Sequence, residues 1–81
     1  MDSTFNGWLN WFTWNVALWI GNDEFLYDIA KECAHRSIHP YGEFVDQMLI
    51  YGIKETPDGC PFSHPDISRD EMNEMMEELI A

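Results

Sequence analysis

The sequence predicts an all-α fold: one small domain of about four short helices around a Trp-rich central helix. Three observations predict it. Apolar residues recur at spacings of three and four in four separate segments. Good helix-capping residues precede three of those segments, at Asn10, Asn22 and Ser68. No segment alternates convincingly between apolar and polar, although Tyr51-Gly52-Ile53 has room for a short extended piece. An 81-residue chain suffices for one domain and shows no internal repeat, low-complexity tract or linker.

Residues 1–9 read as an irregular arm with Phe5 and Trp8 as its anchors. The first helix is predicted over about residues 11–20, with Asn10 as N-cap and Gly21 as C-cap. It belongs to the most apolar part of the chain, where all the tryptophans fall: Trp8, Trp11, Trp14 and Trp19. Phe12, Val16, Trp19 and Ile20 form one stripe, and Trp11, Trp14 and Leu18 a second, with only Thr13 and Asn15 polar between them. A helix apolar nearly all round is buried or covered by a partner. Trp14 and Trp19 are therefore expected inside, and Trp8 or Trp11 exposed. A second helix is predicted over 23–36, with Asn22 able to cap it and an inner face of Phe25 or Leu26, Ile29, Ala30 and Cys33. Glu32 and Arg36, four residues apart, are expected to pair on its outer face. Pro40 and Gly42 break the chain. The third helix is predicted over about 42–51, with Phe44, Val45, Met48 and Leu49 inward and Gly52 ending it. Residues 53–67 form a long loop, turned at Thr56-Pro57-Asp58-Gly59 and anchored by Phe62 and Ile67. The last helix, about 69–80, opens on a Ser68–Glu71 capping box and carries an inner stripe of Met72, Met75, Met76 and Leu79.

The charge narrows the function. Fifteen acidic residues face four basic ones, for a formal net charge of −11. That balance argues against direct nucleic-acid binding, which needs Lys and Arg on phosphates, and against anionic membrane surfaces. It suits a partner protein with a basic surface, or solubility alone. No apolar run approaches the roughly 20 residues of a membrane span. Asp2, the missing basic segment and the polar Asn6, Gly7 and Asn10 argue against a secretory signal. A cytoplasmic setting with Cys33 and Cys60 as reduced thiols is expected.

The Trp-rich segment resembles a family of small acidic proteins encoded by bacteriophages, cyanophages among them, and by some bacteria. The resemblance rests on Asn6-Gly7-Trp8, Asn10-Trp11, Thr13-Trp14, Val16, Leu18-Trp19-Ile20 and Asn22-Asp23, with Glu55-Thr56-Pro57-Asp58-Gly59 as a later element. Phe12 departs from the pattern, where a polar residue is expected. The resemblance implies a phage or mobile-element origin and carries no activity with it.

Chemistry-bearing residues are few. Cys33, His35, His39, Cys60 and His64 are weak candidates for a zinc site, but no Cys-x-x-Cys spacing exists and Cys33 falls on an expected core position. Cys60 and His64 are close enough in sequence to suggest a nucleophile and base, with no oxyanion device nearby. No phosphate loop, dinucleotide fingerprint or calcium loop is present. Neither catalysis nor a cofactor is expected. The partner-binding candidates are Trp8 and Trp11, as interface aromatics, and the acidic residues of the last helix, Asp70, Glu71, Glu74, Glu77 and Glu78. A helix rises about 1.5 Å per residue. Duplex DNA carries one charge per roughly 1.7 Å. An acidic helix face that mimics DNA is thus an alternative to simple protein binding, as is a structural or zinc-stabilised module. The two apolar faces of the first helix also make a homodimer an option.

Overall fold

The computed structural model describes residues 4–81 and bears out the all-α prediction: α1 (Trp11–Asn22), α2 (Glu24–Arg36), α3 (Pro40–Ile50) and α4 (Arg69–Glu78). Residues 1–3 of the predicted arm lie outside the described residues. α2 and α4 each touch the other three helices, whereas α1 and α3 do not meet. The body measures 37 × 28 × 21 Å.

The helix ends depart from the expected bounds for local reasons. α1 runs through Gly21 to Asn22, because the Asp23 amide still donates to the Trp19 carbonyl and the Asn22 side chain donates to the Leu18 carbonyl. Asp23 then closes α1 and caps α2, its carboxylate accepting from the Leu26 amide at 3.0 Å. One residue thus serves two helices, and neither Gly21 nor Asn22 takes the expected cap position. Pro40, expected to break the chain, occupies the first turn of α3, where a missing N–H costs nothing. The Tyr41 amide donates to the Asn73 side chain of α4. At the far end Gly52 has φ +75° and the Ile53 amide reaches back to the Met48 carbonyl, which terminates the helix as expected. α4 is capped by Ser68 Oγ, but only half of the capping box forms. The Ser68 amide donates to Thr13 Oγ1, and the Glu71 carboxylate is engaged by the arm.

The core is built from Val16, Ala17 and Ile20 of α1, Leu26, Ile29, Ala30 and Cys33 of α2, Tyr41, Phe44, Val45 and Met48 of α3, Met72 and Met76 of α4, and Phe62 and Ile67 of the loop. Phe62 and Ile67 anchor the loop as predicted. Its turn is a small hairpin. The Gly59 amide donates to the Thr56 carbonyl, Gly59 takes φ +87°, and Glu55 and Pro61 form an isolated bridge.

Burial in α1 differs most from expectation. The residues it buries are Thr13, Asn15, Val16, Ala17 and Ile20. Both polar side chains therefore point inward, and all four tryptophans are half-buried. Trp8, Trp11, Phe12 and Trp19 lean on the core edge, whereas Trp14, expected inside, packs on Phe5 with ring centroids 4.9 Å apart. The reason is steric and polar at once. Thr13, Val16, Ala17 and Ile20 form an i, i+3, i+4, i+7 stripe of small and medium residues that lets α1 approach its neighbours closely. Two further corrections concern α2 and α3. Arg36 pairs with Glu43 of α3 at 3.0 Å instead of with Glu32. Leu49, expected inward, is exposed, and of the alternatives Phe25 and Leu26 it is Leu26 that is buried.

Candidate functional site

Two features of the structure bring the sequence-predicted residues together. The first is a polar clasp between α1 and the long loop. Asn10 Oδ1 accepts from the amide and hydroxyl of Thr13, while its Nδ2 donates to the Asp66 carbonyl at 2.6 Å. Asn15, with 1% of its surface exposed, accepts from Thr56 Oγ1 at 2.6 Å and donates to the Asp58 carboxylate at 2.8 Å. Trp19 Nε1 donates to the same carboxylate oxygen at 2.8 Å. These two donors, Asn15 first, hold the Asp58 carboxyl below the usual carboxylate range. The segments 6–23 and 55–59, which carry the family resemblance, thus meet in one hydrogen-bonded seam. Among the described residues no buried side-chain nitrogen or oxygen is left without a partner. The seam is therefore saturated, and its chemistry is to hold the loop in place.

The second feature is a cleft between the arm and α4. Within the described part of the arm, residues 5–8 form a tight turn. Phe5 and Trp8 exchange both backbone hydrogen bonds at 2.7 and 2.8 Å, across Asn6 at φ 48° and Gly7 at φ 87°. This is the Asn-Gly turn in which both central residues take positive φ. The turn is fixed to α4 by the Leu9 amide, which donates to Glu71 Oε1 at 2.8 Å. Between them lies an open cleft of about 210 Å³, lined by Gly7, Trp8, Glu71, Glu74, Met75 and Glu78. Four of the seven predicted partner-binding residues converge there: Trp8, Glu71, Glu74 and Glu78. Trp11, Asp70 and Glu77 do not line it. Trp11 packs edge-on against Phe12 at 5.5 Å, and Asp70 and Glu77 are exposed elsewhere on α4. Met75, assigned from sequence to the inner stripe, is a shared wall of core and cleft. The spacing of 71, 74, 75 and 78 makes these residues one helical face, a signal present in the sequence. The lining thus combines three carboxylates, an indole and a thioether. Carboxylates and aromatic rings are groups that interact favourably with Lys and Arg side chains.

The Cys and His candidates are not assembled. Among the described residues no group of three or more His, Cys, Asp or Glu side chains could hold a metal ion. Cys33 and Cys60 are buried free thiols, each raised in pKa chiefly by desolvation. Cys60 donates to the Phe12 and Pro61 carbonyls, which favours its protonated form. His64 stacks on Phe12 with centroids 3.8 Å apart, and its Nδ1 accepts from the Asp66 amide. That nitrogen is thus committed to a local turn and not to activating Cys60. His35 and His39 are exposed. No described helix is long and apolar enough to cross a membrane.

The profile of a family of unknown function (DUF7249) matches residues 1–81. No curated protein and no solved structure matches the chain. Full-length coverage of this kind is membership: the chain belongs to the family of unknown function DUF7249.

Proposed function

We propose that this protein is a phage-type, non-catalytic binding module of the bacterial cytoplasm that captures a host or phage protein by its basic surface. The convergence of Trp8 with Glu71, Glu74 and Glu78 on the arm–α4 cleft carries this reading. A Lys or Arg side chain of the partner enters the cleft, and the net charge of −11 steers the encounter. The phage setting rests on the resemblance of segments 6–23 and 55–59. DNA mimicry would use the same carboxylates as a row along the surface. Their convergence on an indole favours recognition of one cationic side chain.

The test is affinity capture from a bacterial lysate with the wild-type chain and a Trp8→Ala/Glu74→Gln variant as baits. The expected result is a protein with a basic surface that the wild type retains at low salt and releases at high salt. The variant should retain about ten-fold less, the loss typical of an interface hot spot. A partner held equally by both baits, or held regardless of salt, overturns the assignment of this cleft.

A further inference from the structure

A second surface shares no residue with the cleft. The C-terminal end of α3 exposes three consecutive large apolar side chains, Leu49 at 58%, Ile50 at 75% and Tyr51 at 52%. A run of this kind on a surface so acidic is costly unless it is covered at some stage. Phe25, at the start of α2, is 43% exposed and meets the Tyr51 ring edge-on with centroids 5.1 Å apart. The pair is thereby held in one geometry. Beside these residues the surface is concave. A cleft of about 400 Å³ has Val45, Met48 and Leu49 on one wall, and one of about 270 Å³ has Phe25 and Leu26. The two share Ile53, Glu55 and Phe62, so they form adjoining parts of one groove. Its charged lining is Asp23 and Glu55 against Lys54.

We infer that this groove is a docking site for an amphipathic helix of another protein, one whose apolar stripe is flanked by Lys and Arg. The occupant follows from charge and shape. A second copy of the chain would bring another −11 to an acid-biased lip, and an anionic lipid surface would meet the same repulsion. A segment with basic flanks complements both the lip and the net charge. No strand is present among the described residues, so no sheet edge is offered to an extended peptide. Side chains at i, i+3, i+4 and i+7 of a helix are the element that fills an apolar groove between helix ends. The inference is independent of the arm–α4 cleft.

The test uses a synthetic Leu/Lys peptide patterned as an amphipathic helix, with a scrambled peptide of the same composition as control. Binding to the full chain is followed by titration calorimetry and by amide NMR shifts. The patterned peptide should bind at least about ten-fold more tightly than the scrambled one, and shifts should centre on Phe25 and residues 49–53. Leu49→Ser and Phe25→Ser, both at exposed positions that line the groove and checked for retained thermal unfolding, should each weaken binding about ten-fold. Equal binding of both peptides, or shifts confined to α4, overturns the inference and reduces the interaction to charge. Sedimentation that shows a dimer lost in Leu49→Ser overturns it in favour of a second copy as the occupant. A defect in the cleft reading would instead appear as unchanged capture by Trp8→Ala/Glu74→Gln, so the two fail separately.

Discussion

Asn15 shows how much one buried polar residue organises. It accepts from Thr56 Oγ1 and donates to Asp58, and removing it leaves the buried Thr56 O–H without an acceptor, while Thr56 Oγ1 still accepts from the Cys60 amide. An unsatisfied buried group costs its full desolvation penalty. Asn15→Ala is therefore expected to lower stability by about 2–3 kcal/mol in urea unfolding. Adding Thr56→Val to that variant should cost less than the sum of the single changes, because both partners are then gone. Asp58 predicts a pH dependence. Donation from Asn15 and Trp19 lowers its folded pKa below the ordinary Asp value. A depressed folded value adds stability that is fully present above the unfolded pKa and lost as pH falls through the folded one. Thermal unfolding of the wild type should thus steepen its decline below about pH 4. Asp58→Asn should be less stable than wild type at neutral pH and converge with it in acid. Parallel curves at all pH values would show that the carboxylate charge is not what the two donors hold.

Several helix ends are completed by side chains, some from distant parts of the chain. Asp23 joins two helices, Asn73 supplies an acceptor to the first turn of α3, and Thr13 takes the Ser68 amide. The Asn6-Gly7 turn is the element on which the cleft depends. Gly7 has φ +87°, and a Cβ there would meet nothing within 4 Å. Gly7→Ala therefore adds no clash and costs only backbone strain, about 1 kcal/mol. It should leave the core intact while loosening the Phe5–Trp8 bonds. The readout is faster amide exchange at Phe5 and Trp8, together with weaker capture of the basic partner. Unchanged exchange would mean that the Leu9–Glu71 bond alone holds the arm.

At the scale of the whole molecule, charge dominates. The excess of carboxylates leaves a net charge of −11 on a 9.5 kDa body, and self-repulsion works against the folded state. Salt screens that repulsion over about 10 Å at 0.1 M. Added sodium chloride should therefore raise the Tm, on the order of 5 °C, as followed by circular dichroism. The same salt should weaken capture of a basic partner, so stability and binding are expected to move in opposite directions. A Tm that falls with salt would show that local ion pairs outweigh the net charge.

Helix existence, the loop anchors Phe62 and Ile67, the Ser68 cap and the methionine pair Met72 and Met76 were legible in the sequence, because each is a local signal. Capping chemistry and three-to-four periodicity depend on neighbours within one turn of helix. The inward turn of Thr13 and Asn15 was not legible, and it displaced Trp14 from its expected place. Polar burial is decided by partners far along the chain, here 41, 43 and 55 residues away. Nor does periodicity tell a helix which of its two apolar stripes will face the core. The core took neither stripe whole but the smaller side chains Thr13, Val16, Ala17 and Ile20, where close packing and saturated hydrogen bonds coincide. The acidic face of α4 was written in the sequence at 71, 74 and 78. Only the tertiary structure set Trp8 against it, since a backbone turn at Asn6-Gly7 and one bond from Leu9 bring the arm back to the last helix.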